Sequence, residues 1–416
     1  MNKSLSVLFG SELAVVLLFI PFVKPTCFEY ISGLEFIDRF FDLCRIAAFA
    51  VLLVCLFIHK HMSKAVLCAV LYEVVLFFST FINNGSINNA NMVRFAVGAG
   101  SVLGFCILTE LGILYNCKVF FKSAFDICFV FIAINFVLSL FFPEGIAVNE
   151  KGASVNFIGY DNFMSPFLVA SMGISVIYGE LFCCRSKSAV FFFLIAATAI
   201  RTWSATGVVG WFIIAVYILF IYRKKAAALF NSFGLYAVYF VAFVSIVLLR
   251  LQNYFAFIIE KILKKSVSFT GRTAIWDRAI ALIKRSPLIG YGVSNDGMII
   301  LPNGYGYHAH NAFLETVLQG GISSLALFIA LFLISGAKLY RYRNSSISGI
   351  ISVVTFAMLM MMTMESYFGV VWVFGIIIWG SRTDDIIRQC EESAYRDKDA
   401  QIPLRRRYIS YRLNRR

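Results

Sequence analysis

Two of the chain's four histidines, His308 and His310, stand in the run His308-Ala309-His310-Asn311, directly before an apolar stretch. An imidazole is the side chain best suited to exchange a proton near neutral pH. Just upstream lie Lys261, Lys264, Lys265, Arg272, Arg278, Lys284 and Arg285, against Glu260, Asp277 and Asp296. Such a cluster of cations suits a phosphate or diphosphate. The pairing reads as a base that takes a proton beside cations that hold an anion. If His310 opens a helix, the positive end of the helix dipole and the nearby arginines favour the neutral imidazole, the form that can accept a proton. Asn311 is positioned to orient that ring or to bind substrate. The blander alternative is that the histidines mark an interface or cap a helix, and that the cations are solvated or touch lipid.

The elements that must position these groups follow from spacing. Over 272–285, Ile275, Trp276, Ala279, Ile280, Leu282 and Ile283 recur at helical period, with Ser268 or Thr270 as a candidate cap and Pro287 as a stop. The spacing predicts an amphipathic helix at a membrane interface, with Trp276 at headgroup depth and Arg272 one turn before it. Gly290-Tyr291-Gly292 and the Gly/Tyr-rich stretch 303–307 predict sharp turns able to approach a ligand closely.

The rest of the chain is apolar. Of 416 residues, 60% are hydrophobic and 14% charged, and the mean hydropathy is +0.80. A soluble protein would expose too much apolar surface. A spanning helix needs roughly 20 apolar residues, and about twelve such segments can be counted. Their centres fall near Val15, Val51, Leu71, Leu103, Ile132, Ala170, Ala196, Ile213, Tyr239, Phe328, Thr355 and Phe374. The first lacks a small-residue cleavage site and reads as a helix rather than a signal peptide. Every even-numbered exit is basic: Lys60 and Lys64, Lys118 and Lys122, Arg185 and Lys187, Arg223 to Lys225, Lys338 to Arg343. That pattern predicts both termini in the cytoplasm. The basic segment 252–311 then faces outward as one large loop. It divides an N-terminal bundle, 1–251, from C-terminal helices, 312–380, and a basic, partly disordered tail, 381–416, carrying Arg405, Arg406 and Arg407. The ten cysteines lie mainly in apolar runs and behave as small hydrophobes, without zinc spacing.

Gly271-Arg272-Thr273-Ala274-Ile275-Trp276, then Pro287-Leu288-Ile289-Gly290-Tyr291-Gly292, then His310-Asn311-Ala312-Phe313-Leu314-Glu315 with Gly320-Gly321, together resemble the outer-loop signature of the O-antigen ligase and Wzy-type polysaccharide polymerase superfamily. The resemblance implies an all-α, C-type glycosyltransferase-like fold in the bacterial cytoplasmic membrane. It implies an undecaprenyl-diphosphate-linked oligosaccharide as donor, with a flippase and a chain-length regulator as pathway partners. By this resemblance His310 is the base or acceptor-orienting residue and Arg272 binds the donor diphosphate. Trp276, Arg278, Lys284, Arg285, His308 and Asn311 are further substrate contacts. The family's mid-chain Arg has no counterpart, since Ala205 follows Ser204; Arg201 is the nearest substitute.

The implied reaction is an inverting, metal-independent transfer that extends an O-antigen, capsule or exopolysaccharide. A ligase acting on a lipid A core or a protein would use the same chemistry. The other classes are a lipid-linked sugar flippase, which would want charged residues along a path through its spans, and a scaffold, which would not need the histidine-arginine loop. Glu73, Arg94, Glu110 and Glu180 are the nearest candidates for such a path. No nucleotide motif is apparent, no cofactor is implied, and no basic soluble domain exists to hold nucleic acid.

Overall fold

The computed structural model describes residues 2–84, 90–149, 152–222, 228–251, 271–293, 299–300, 306–367 and 370–401. These fold almost entirely into helices: α1 (Lys3–Gly10), α2 (Glu12–Phe19), α3 (Glu35–His59), α4 (Lys64–Asn84), α5 (Ala90–Phe141), α6 (Asp161–Leu181), α7 (Arg185–Arg201), α8 (Ala205–Phe220), α9 (Ser232–Phe243), α10 (Arg272–Ile283), α11 (Ala312–Arg341), α12 (Ser346–Met362), α13 (Val371–Ser381) and α14 (Thr383–Gln401). In lipid the backbone must satisfy its own polar groups, so long apolar stretches become helices. Two short strand pairs are also present, β1 (Ala147–Val148) with β2 (Ser154–Val155), and β3 (Ile299–Ile300) with β4 (Gly306–Tyr307).

Among the described residues five helices, α3, α4, α5, α6 and α11, are long and apolar enough to cross a membrane, and the pair Lys3–Gly10 and Glu12–Val23, bent by 78°, gives a sixth if it is one span. Every expected span centre lies inside a helix. Leu103 and Ile132 share α5, on either side of Asn116, whose extended backbone breaks the helix. The remaining centres fall in α7, α8, α9, α12 and α13, which are 17, 16, 12, 17 and 11 residues long. These short helices gain burial from neighbours; almost all of α12 and α13 lies inside the bundle. By contrast α3 is peripheral and shows Phe36, Phe40, Leu43 and Phe57 on its surface, as a lipid-facing helix must.

The tail begins as the helix α14, Thr383–Gln401. Its base is pinned to the bundle, because Arg382 pairs with the buried Glu110 of α5 and Lys338 of α11 bonds Asp384 at 2.7 Å. Arg405, Arg406 and Arg407 lie outside the described residues.

The loop after α10 has a packing role. α11 breaks at Gly321 (φ 70°, ψ −168°), a conformation essentially reserved for glycine. The segment 287–292 fills that break. Tyr291 N–H donates to Leu318 O (2.7 Å), Gly292 N–H to Gln319 O (2.9 Å), and Ile322 N–H to Pro287 O (2.8 Å). From α4, Ser79 Oγ meets Ile289 O (2.6 Å) and Gln319 O (2.5 Å), and Thr80 Oγ1 accepts from Val293 N–H (2.9 Å). The Gly-x-Gly turn therefore approaches helix backbone rather than a ligand. A Cβ on Gly321 would lie 2.0 Å from Leu288 O, whereas one on Gly98 would meet nothing within 4 Å. Gly321→Ala is expected to lower stability by at least about 1–3 kcal/mol from backbone strain alone, read as a lower thermal unfolding midpoint in detergent, while Gly98→Ala leaves the midpoint unchanged or higher.

Candidate active site

Three chain segments converge outside the helix ends. Arg272 is the first residue of α10, behind Gly271 in the left-handed conformation (φ 85°). Ser268 and Thr270, the expected caps, lie outside the described residues, as do Lys261, Lys264 and Lys265. His310 precedes the N-terminus of α11, and Glu365 lies in the segment between α12 and α13. Sequence reading passed over Glu365. Its only signal was a single carboxylate closing the apolar run Met358–Met364.

Glu365 joins the site together. It is only 7% exposed. One oxygen, Oε1, accepts from the Arg272 guanidinium and from Asn162 Nδ2 at 2.7 Å. The other, Oε2, lies 3.2 Å from His310 Nδ1. Asn162, at the start of α6, is itself held by the hydroxyl of Ser204, which donates to its Oδ1 at 2.6 Å. A carboxylate accepts, so Nδ1 is the donor to it, and in the neutral form of the ring the lone pair is then on Nε2. A buried carboxylate is expected to be paired, and here three donors surround it.

The local backbone is tense. His310 (φ 45°) and Tyr367 (φ 40°) are both left-handed without being glycine, which costs roughly 1–3 kcal/mol each and tends to concentrate at functional sites. Burial first, and then the charge of Glu365, push the phenol of Tyr160 up and that of Tyr367 well up. Both therefore remain hydroxyl donors beside the carboxylate. His308 stacks near His310, with ring centroids 4.0 Å apart, and its Nδ1 takes a long contact of 3.5 Å from Ser366 Oγ.

Several residues expected at the site do other work. Asn311 is fully buried and caps α11: its Oδ1 accepts from Phe313 and Leu314 N–H at 3.1 and 3.0 Å, and its Nδ2 donates to Thr363 O at 3.0 Å. It is occupied as a cap, and Glu365 orients the imidazole instead. Trp276 is 0% exposed and packs with Val247, Ile299, Ala309, Leu314 and Leu318. Its ring is core, not a headgroup anchor or substrate contact. The Arg250 guanidinium covers it at 5.0 Å and bonds Asp277 at 2.6 Å. Arg201 donates to Ser139 O (3.0 Å) and lines a separate cleft of about 200 Å³ with Thr202, Trp203 and Asn156. That cleft includes neither Arg272 nor His310. The mid-chain segment reaches the site through Ser204. Arg278, Lys284 and Arg285 are exposed on and after α10. Among the described residues no cluster of His, Cys, Asp or Glu could hold a metal ion.

Residues 190–329 match the family model described as O-antigen ligase. Over this stretch, about a third of the chain, the sequence is similar to the O-antigen ligase family, which supports a role in surface polysaccharide assembly. The stretch contains Arg201, Arg272 and His310, whereas Asn162 and Glu365 lie outside it. No curated protein matches the chain. Trp276→Ala is expected to destabilise by about 3–5 kcal/mol through the cavity it leaves, and Asn311→Ala by about 1 kcal/mol through loss of the cap; thermal unfolding in detergent measures both.

Proposed function

We propose, from a membrane protein whose residues 190–329 match the O-antigen ligase family model, that this chain polymerises undecaprenyl-diphosphate-linked repeat units on the outer face of the bacterial cytoplasmic membrane. The observation that carries the reading is Glu365, bonded to both Arg272 and His310. A base and a cation bound to one carboxylate are the two parts that glycosyl transfer from a diphosphate requires.

The sugar hydroxyl of one repeat attacks the anomeric carbon of the growing glycan, on the face opposite the diphosphate. The new bond joins that oxygen to the anomeric carbon, and the bond to the diphosphate oxygen breaks. His310 Nε2 takes the hydroxyl proton, and Glu365 balances the imidazolium that forms. The leaving diphosphate is already a stabilised anion, so it needs cations rather than an acid. Arg272 has five N–H donors, and its bond to Glu365 leaves others for the diphosphate. Arg278, Lys284 and Arg285, exposed nearby in sequence, supply additional positive field. No step calls for a metal. Asn162, held by Ser204, fixes Glu365 and thereby the ring. Inversion follows from the single displacement.

The same reading carries a topology. Twelve crossings, with α5 counted twice and α7, α8, α9, α12 and α13 as short spans, leave both termini in the cytoplasm and the site outside. Basic loops at each even exit support that count. A ligase that delivers the glycan to a lipid A core is the second reading, favoured by the description of the matched family. The two differ in acceptor only.

In cells lacking the gene, His310→Ala is expected to lower chain-forming activity by on the order of 10² to 10⁴, leaving single-repeat glycan on a gel of surface polysaccharide. Arg272→Ala should behave alike. Long chains at wild-type level from both variants would sink the reading, repeats trapped inside would indicate a flippase, and polymer that accumulates on its lipid carrier would indicate the ligase. Glu365→Gln should lose on the order of 10²-fold in kcat by mispositioning the ring, and Asn162→Ala about tenfold by removing one hydrogen bond to the charged group.

A further inference from the structure

A cavity of about 530 Å³ lies under the peripheral helix α3, between it and α4, α5, α6 and α13. It is not formed by Arg272 or His310. Its wall is largely apolar and aromatic, with Phe95, Phe163, Phe167 and Trp372, and its charged groups are Lys24, Glu29, Arg45, Arg94 and Glu73. Size and a few polar groups in an apolar wall are the usual features of a ligand site.

Glu73 is the unusual member. It stands 11 residues before Asn84, the end of α4, which is about 16 Å along the helix and so deep in the bundle. It is 6% exposed, lines the cavity, and among the described residues no hydrogen bond or ion pair engages its carboxyl. A buried carboxyl in an apolar span without a partner is expensive to keep and points to a ligand that supplies hydrogen-bond donors.

The charges decide which ligand. Lys24 already bonds Asp38 and Asp42, both at 2.8 Å, and Arg45 bonds Asp42 at 2.5 Å. With Glu29 and Glu73 also present, the neighbourhood holds four carboxylates against the three cations Lys24, Arg45 and Arg94. An anionic headgroup finds no surplus of cations there. A neutral polyol suits it: hydroxyls donate to Glu73 and Glu29, accept from Arg45 and Arg94, and a sugar's C–H face lies against Trp372 or Phe163. The cavity wall also includes residues close in sequence to the candidate site. Phe163 follows Asn162, Val370 follows Glu365 by five residues, and Val293 closes the loop 287–293.

Resting on the proposed transfer reaction, we infer that this cavity is the acceptor subsite and holds an uncharged sugar of the incoming glycan, with Glu73 as its specificity-determining acceptor of hydroxyl protons. The reacting groups are thereby sorted by charge: the donor's diphosphate goes to Arg272, and the acceptor's reacting sugar ring, remote from its own diphosphate, to the cavity under α3.

The test uses the full chain in lipid vesicles, with lipid-linked repeat units purified from the same cells as donor and the same repeat carried on an alkyl chain without diphosphate as acceptor. Glu73→Leu should raise KM for the acceptor at least tenfold while kcat and the donor KM stay within twofold, and Glu73→Gln, which keeps a carbonyl acceptor, should recover most of that loss. Val97→Trp, which fills the cavity from α5, should mimic Glu73→Leu. It serves as the independent arm if the leucine variant does not fold. An alkyl glucoside should compete with acceptor in the wild type and lose that competition in Glu73→Leu, whereas an alkyl phosphate should not compete. Unchanged acceptor KM in both variants, a shift in donor KM instead, or competition by the phosphate alone would overturn the inference. Failure of the transfer reading itself is distinguishable, because it would appear as wild-type activity in His310→Ala and Arg272→Ala.

Discussion

A carboxylate removed from water must find donors, and in this chain one buried carboxylate finds three. Glu365 takes the Arg272 guanidinium and the Asn162 amide on one oxygen and faces His310 with the other. These residues come from α10, α6, the start of α11 and the segment after α12. The requirement to pair this one charge therefore ties four parts of the bundle to a common point. It also sets the chemistry. The carboxylate fixes which imidazole nitrogen carries hydrogen, and it holds a guanidinium within reach of the same space.

The bundle around this point obeys the parallel rule for backbone. Non-helical peptide inside a membrane protein is tolerated where other protein groups satisfy it. The break at Gly321 meets that condition because 287–292 enters it and α4 contributes Ser79 and Thr80. The loop is covalently continuous with α10, so the turn that seals α11 also fixes the far end of the helix that begins with Arg272. The Trp276 core does the same from inside, packing α10 against Ala309 and Leu314 on either side of His310 and Asn311. The strained backbone of His310 is held between these rigid supports.

Charge is distributed with the same economy. Arg382 and Glu110 lock α14 to the bundle, while Arg272 and Glu365 lock the candidate site. Under α3 the cations Lys24 and Arg45 are already matched by Asp38 and Asp42, which leaves a cavity suited to an uncharged ring. The donor's diphosphate and the acceptor's reacting ring would then meet at His310 from surroundings of different charge.

The sequence by itself determined much of this. Apolar runs of spanning length determined a helical membrane protein, because the bilayer leaves the backbone few alternatives. The Gly-Arg, Pro…Gly-x-Gly and His-Asn signatures located Arg272 and His310, since rare polar residues in an apolar chain stand out. What the pattern could not assign was the use of each conspicuous residue. Trp276 and Asn311 look like ligand contacts in one dimension and are core and cap in three. Arg201, at the right place in the motif, lines another cleft, while Ser204 connects inward. Nor did any local signal separate Glu365 from the other carboxylates of apolar runs, Glu73 and Glu110. Its partners lie 203, 93 and 55 residues away in the chain. Spacing reports only what a single helix or strand brings together, whereas pairing a buried charge depends on which distant segments the packed bundle makes neighbours, and only the tertiary structure decides that.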